Sequence, residues 1–279
     1  MKIWIGFKGF IQRVVKIIGR SDMQILPGQL AFSFILMLVP ILALFGTVLS
    51  FFNLSGDYVS SVIIEYLPKA AGDLIIGLSD GSGGIQMHNI VVIITSLILA
   101  SGGTSSMIAA SNSIYKIKRK GLIYDRVKSI VMLLFLLILF IIVLLVPVFG
   151  NMVFNVLSEL LDSNMGSISL LVFKLLKYPL SFLLIFAIVK LIYVMAPDIK
   201  IKSKDVTYGA LFTTIVWIFA TVIYAFYVEN FANYTNFYGG ISSIIVLMLW
   251  MYILAYVFVL GMALNAYKHD IEEKKESHN

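Results

Sequence analysis

Residues 241–266 read ISSIIVLMLWMYILAYVFVLGMALNA and contain no charged side chain. An α-helix rises 1.5 Å per residue, so this stretch reaches about 39 Å, more than the ~30 Å of bilayer hydrocarbon. In hydrocarbon every backbone N–H and C=O needs a partner inside the protein, which a helix supplies within one segment. Strands of a membrane barrel are about 10 residues long and alternate polar with apolar positions. This stretch does not alternate. The fold class it dictates is all-α and membrane-spanning.

Outward from this stretch, five more apolar segments meet the same length requirement. They are Pro27–Phe52, Asn89–Tyr115, Ser129–Asn151, Ile168–Ala196 and Val206–Val228. The sequence thus predicts a six-span domain over residues 23–266, preceded by an amphipathic segment at 1–22 and followed by a charged tail at 267–279. Composition agrees. The 279 residues are 60% hydrophobic and 13% charged, against about 25% charged in soluble domains. The absence of cysteine excludes disulfides, thiolate metal sites and a cysteine nucleophile.

Charge placement predicts orientation. Of the 21 basic residues, seventeen fall in the N-terminal segment, the loop Lys116–Lys128, the loop Lys200–Lys204 and the tail. The opposite loops carry Lys69 alone, with acids such as Asp57, Glu65, Asp73, Glu159 and Asp162. The positive-inside rule places the basic side, and both termini, in the cytoplasm. Ile3, Phe7, Phe10, Val14 and Ile17 recur at helical spacing between cations, as in a helix lying on the membrane surface. Val62, Ile63, Tyr66 and Leu67 predict a second, outer interfacial helix stopped by Pro68.

Several motifs together resemble the YihY/BrkB family of bacterial inner-membrane proteins. They are Leu30-Ala31-Phe32-Ser33-Phe34 with Val39-Pro40, Asn112-Ser113-Ile114-Tyr115, Lys177-Tyr178-Pro179, and Tyr193-Val194-Met195-Ala196-Pro197. Phe237-Tyr238-Gly239-Gly240-Ile241-Ser242-Ser243, running through Trp250 to Asn265, is the most specific. The resemblance spans roughly Pro27 to Asn265. It implies a six-span protein of the bacterial inner membrane, concerned with the envelope, and a transporter-like role. Some members carry an older label as a tRNA-processing ribonuclease. This chain has Lys177-Tyr178 where Arg-Trp is common. Ala263-Leu264-Asn265 lacks the acidic residue often found in that run, so any role of that carboxylate does not transfer.

The residues do not favour a nuclease. RNA cleavage needs clustered His, Asp or Glu in water. His88 lies in an outer loop, and His269 and His278 lie in the tail. There is no P-loop, hence no motif for ATP. The chain is read as a non-enzyme that needs no cofactor and binds no nucleic acid.

Polar groups inside the spans are the candidates for function, because ionisable groups in hydrocarbon usually face protein or water. Lys174 and Lys177 share one face of span four, and Ser181 continues it. They suit either a lining for an anionic head group or snorkelling from an interfacial turn. Glu229 is either a partner for a span-four lysine or an ordinary interfacial carboxylate. Gln29 and Ser33 in span one, and Ser105 within the small-residue run 101–113 of span two, fit a polar cavity wall or close helix packing. Asn112 and Asn265, near the ends of their spans, suit cap-like or interhelical hydrogen bonds. Pro40, Pro147 and Pro179 each remove a helical hydrogen bond, as in the broken helices of transporters or in ordinary kinks. The expected function is a nucleotide-independent transporter or flippase-like protein for a lipidic or anionic amphiphile, with membrane lipids as partners. A scaffold acting through its basic loops is the alternative. An oligomer is compatible with either.

Overall fold

The computed structural model describes residues 12, 14–51, 87–139, 166–230 and 242–276. Six long helices follow one another among them: α1 (Ser21–Phe51), α2 (Met87–Ile114), α3 (122–139), α4 (Gly166–Met195), α5 (Thr207–Asn230) and α6 (Ser242–Glu276). Each overlaps one of the apolar segments, α3 over residues 129–139. Uninterrupted apolar stretches long enough to cross a membrane lie at Ile93–Ile114, Thr207–Tyr224 and Ile245–Tyr267, with a shorter one at Pro179–Met195. The protein is an all-α, polytopic membrane protein.

Helix ends depart from the apolar limits for local reasons. α1 starts at Ser21, ahead of Pro27. Asp22 in its first turn pairs with Arg20 at 2.8 Å, where negative charge suits the helix dipole. α6 runs on to Glu276, past the apolar stretch, because a helix outside the bilayer needs no apolar side chains. The residues 3–11 of the surface helix, the outer segment 58–78, Pro147 and the aromatic positions Tyr234, Phe237 and Tyr238 lie outside the described residues. So do the side chains of His88 and His269.

The chain divides into two compact units. One comprises Met1–Met37, Ser101–Ser129 and Val189–Asn279, and so holds all of α5 and α6; the other comprises Leu38–Ala100 and Ile130–Ile188. In the second unit, Leu44 of α1, Ala100 of α2, and Leu133 and Leu137 of α3 form a buried cluster, flanked by Ile41, Ile93 and Leu97.

In the first unit, α5 and α6 are joined by a ladder of side-chain bonds. Asn265 Oδ1 accepts the Gly209 N–H at 2.8 Å. The Trp217 indole N–H donates to the Leu254 carbonyl at 2.9 Å, and the Tyr224 hydroxyl donates to the Val246 carbonyl. Partners fall on α6 as they rise on α5, the register of an antiparallel pair. Gly209 lies in the first turn of α5, where backbone N–H groups lack helical partners. Asn265 therefore caps α5 from the side of α6.

Tyr193 adds α4 to this pair. Its hydroxyl donates to the Phe258 carbonyl at 2.6 Å and lies 2.7 Å from Thr213 Oγ1. A phenol has one proton, already given to Phe258, so Thr213 is the donor in the second bond. The rings of Tyr193 and Phe258 pack with centroids 4.9 Å apart. This approach requires glycine. A methyl group at Gly261 would meet Thr213 Oγ1 and stand 2.6 Å from the Tyr193 hydroxyl, and one at Gly209 would meet the Gly261 carbonyl and Asn265. Small residues of this kind let membrane helices approach closely.

Gly209→Ala and Gly261→Ala should each destabilise the protein by at least the ~1–3 kcal/mol of core overpacking. Gly102, which has open space around it, should accept alanine without loss. Thermal unfolding of the three variants in detergent micelles checks this. Equal melting temperatures would contradict the close approach.

Candidate functional site: a buried charge clamp at the basic end of the helices

Three helix ends meet at the basic end of the first unit. α2 ends in a Schellman turn: the Ile117 N–H reaches the Asn112 carbonyl at 2.8 Å and the Lys116 N–H reaches the Ser113 carbonyl at 3.1 Å. Lys116 takes the left-handed conformation at φ 56°, a position usually given to glycine. The turn fixes the backbone of Asn112, whose side chain is buried. α3 then starts after Gly121, whose φ of 132° is open to a residue without Cβ. Pro197 ends α4, since the residue before a proline is pushed away from helical geometry. That leaves Asp198 as the first residue beyond Pro197.

Asp198 is the centre of the site. Its carboxylate has no exposed surface. Oδ1 accepts from Lys128 Nζ at 2.6 Å, and Oδ2 accepts from Asn112 Nδ2 at 2.5 Å. The Asp198 N–H donates to Asn112 Oδ1 at 2.9 Å, so one amide side chain grips both the backbone and the carboxylate. Lys128 also donates to the carbonyls of Ala196 at 2.8 Å and Pro197 at 2.9 Å. Its three protons are thereby all used, two of them beyond the C-terminus of α4, where a cation complements the helix dipole.

A second layer lies beside it. Asp125 Oδ2 pairs with Arg119 Nε at 3.1 Å. Ser129 Oγ donates to the Asp125 carbonyl at 2.6 Å, and Thr104 Oγ1 donates to the Ser129 carbonyl at 2.8 Å, tying α2 to α3. Asp125 Oδ1, Ser111 Oγ and Asn265 Nδ2 are buried without a hydrogen-bond partner among the described residues. Such atoms cost free energy unless something pairs them, so this end of the protein has capacity for further donors and acceptors. Among the described residues no three His, Asp or Glu side chains group as metal ligands. With its acceptors and donors engaged, the Asp198–Lys128 pair is built to hold three chain ends together.

The residues expected to line a cavity fare differently. Ser33 of α1 does reach α2, but its partner is the Ser106 hydroxyl at 2.6 Å rather than that of its neighbour Ser105. Ser33 gives its proton to the Gln29 carbonyl at 3.0 Å, so Ser106 donates to Ser33. Ser105 is half-buried, and the side chains of Gln29 and Ser181 are exposed. The side chains of Lys174, Lys177 and Glu229 lie outside the described residues. Gln29, Ser33, Ser105 and Glu229 belong to the first unit; Lys174, Lys177 and Ser181 belong to the second. Asn112 and Asn265 do bond between elements, as expected of them.

Sequence reasoning missed Asp198 and misread Lys128 as one more topogenic cation. The available signal was an acid placed directly after Pro197, beside Lys200, Lys202 and Lys204. Charge counting for orientation gives acids little weight, so Asp125 and Asp198 passed unnoticed.

Removing one member of a buried pair leaves the other charge uncompensated, at a cost of about 3–5 kcal/mol. Lys128→Met should show a loss of that order on titration with a denaturing detergent. Asp198→Asn should cost less, and the double variant less than the sum. Lys118→Met, at an exposed position, should be near neutral. If Lys128→Met behaves like Lys118→Met, the clamp carries no stability.

Comparison with known proteins fits this all-helical frame. Residues 14–279 match the family model described as Virulence factor BrkB. The chain is 32% identical to the ribonuclease-like protein YfkH of Bacillus subtilis, over 86% of this chain and 88% of that one. It is 25% identical to a UPF0761 membrane protein of Glaesserella parasuis over 81% and 78% of the two chains. The figure is 23% for the UPF0761 membrane protein VV0203 of Vibrio vulnificus, over 92% and 81%. No solved structure matches. A match that runs through α1 to α6 and the clamp makes this chain a member of the virulence factor BrkB family of membrane proteins.

Proposed function

We propose that this membrane protein is a nucleotide-independent transporter or flippase-like protein for a lipidic or anionic amphiphile, and not an enzyme. The observation that carries the reading is the polar strip between α1 and α2. The Ser33–Ser106 hydroxyl pair is only partly buried, Ser105 beside it is half-buried, and Gln29, one turn away on α1, is exposed. Polar groups left open along a membrane helix are costly in lipid and favour a water-containing cavity. A lipid-like substrate needs such a polar surface for its head group beside apolar surface for its chains. Lys174 and Lys177, three residues apart in α4, supply charge complementary to an anionic head group in this reading. Pro179 follows them inside the same helix, the kind of interruption that transporter helices use near a substrate. The ribonuclease-like name borne by the Bacillus relative finds no metal-ligand group among the described residues here. In this proposal the basic end, with both termini, faces the cytoplasm across the inner membrane.

Two experiments test the reading. In proteoliposomes, Lys174→Leu/Lys177→Leu should abolish the flux of a fluorescent anionic phospholipid analogue, and Ser33→Ala/Ser106→Ala should reduce it. Wild-type flux in the lysine variant would remove the substrate site. The lack of native cysteine makes orientation directly measurable. A Lys118→Cys variant should react with a membrane-impermeant maleimide only after the cytoplasmic membrane is opened. Labelling of intact spheroplasts would reverse the topology.

A further inference from the structure

The start of α3 carries a surface that neither the clamp nor the proposed cavity uses. Its inward residues are Asp125 and Ser129, both buried. Its outward residues are apolar: Leu122 is 86% exposed and Ile123 83%, and Val127 follows one turn later. The same stripe continues along the helix through exposed Val131, Leu134 and Ile138. On a membrane-spanning helix such a stripe faces hydrocarbon. Leu122 and Ile123 therefore mark where the chain enters it, and the exposed run Lys118, Arg119 and Lys120 sits just outside, at head-group depth.

Charge at this boundary is of one sign. Between residues 116 and 128 the sole acid is Asp125, and it is buried with Arg119 on its Oδ2. Lys120 Nζ lies 5.0 Å from the centroid of the Tyr124 ring, which holds the ammonium close to the helix. Arg126 is exposed about 6 Å further along the axis than Leu122, within reach of the head groups by snorkelling. Cations thus stand before and after the point of entry, beside an apolar face. A zwitterionic lipid already balances its own phosphate with its own cation. An anionic phospholipid does not, and basic residues beside a membrane helix are known to recruit such lipids.

We propose that the outward face of residues 118–127 binds an anionic phospholipid of the surrounding leaflet. Lys118, Lys120 and Arg126 take its phosphate, and Leu122, Ile123 and Val127 lie along its acyl chains. This site is independent of the transport reading. It secures the segment that delivers Lys128 to the clamp.

The test uses the purified full-length chain in non-ionic detergent, titrated with dioleoylphosphatidylglycerol or dioleoylphosphatidylcholine and read by native mass spectrometry. The wild type should bind the anionic lipid at least ~10-fold more tightly, since each surface cation contributes about five-fold. Lys118→Gln/Lys120→Gln/Arg126→Gln should weaken that binding on the order of 100-fold, and Arg126→Gln alone about five-fold. Lys200→Gln/Lys202→Gln/Lys204→Gln removes as many exposed cations from the loop after α4 and should leave the preference intact. Equal affinity of the wild type for both lipids would overturn the proposal. So would an equal loss in the two triple variants, which would show diffuse attraction in place of a site.

Discussion

A carboxylate with no access to water sits at the meeting point of three chain ends, and the basic end of the first unit is organised around keeping it satisfied. An isolated charge in such surroundings costs several kcal/mol. Asp198 avoids that cost only because Lys128 and Asn112 arrive together at 2.6 and 2.5 Å. Each arrival has its own local cause. The Schellman turn after α2 holds Asn112, Gly121 lets α3 begin where it does, and Pro197 ends α4 one residue before the acid. Bonds of this charge-assisted kind are about twice as strong as neutral ones. They also demand one geometry, so the clamp fixes the register of α2, α3 and the end of α4 with respect to one another.

The α5–α6 pair follows a different rule. Between helices in lipid there is no hydrophobic driving force, because lipid tails are as apolar as leucine. Association rests on close packing and on hydrogen bonds. Gly209 and Gly261 supply the close approach, and Asn265, Trp217 and Tyr224 supply the bonds. Most of the acceptors are backbone carbonyls already inside helices, so the extra bonds cost no helical ones. Tyr193 extends the same logic to α4 by reaching the Phe258 carbonyl.

The candidate site was partly legible. Ser33 and Gln29, four apart in α1, were placed on one face by helical period alone; the bond from Ser33 to the Gln29 carbonyl is the local i−4 bond of a helical serine. Choosing between Ser105 and Ser106 needed the rotation of α2 about its axis, which no period within α2 specifies. Asn265 looked cap-like or interhelical, and its partner, the Gly209 N–H of α5, depends on how far α6 slides along α5. The largest misreading was Lys128. It belongs to a run of cations that orientation alone explains, and only its burial against Asp198 separates it from exposed Lys118 and Lys120.

The sequence by itself determined that the chain is helical and crosses the membrane. Hydrocarbon leaves the backbone no other way to satisfy itself, and the length of an apolar run is a local property. Tertiary structure alone decided which polar residues are buried and with whom. Lys128, Asn112 and Asp198 stand far apart in the chain, and their pairing costs or stabilises according to angstrom-scale placement that no single segment encodes.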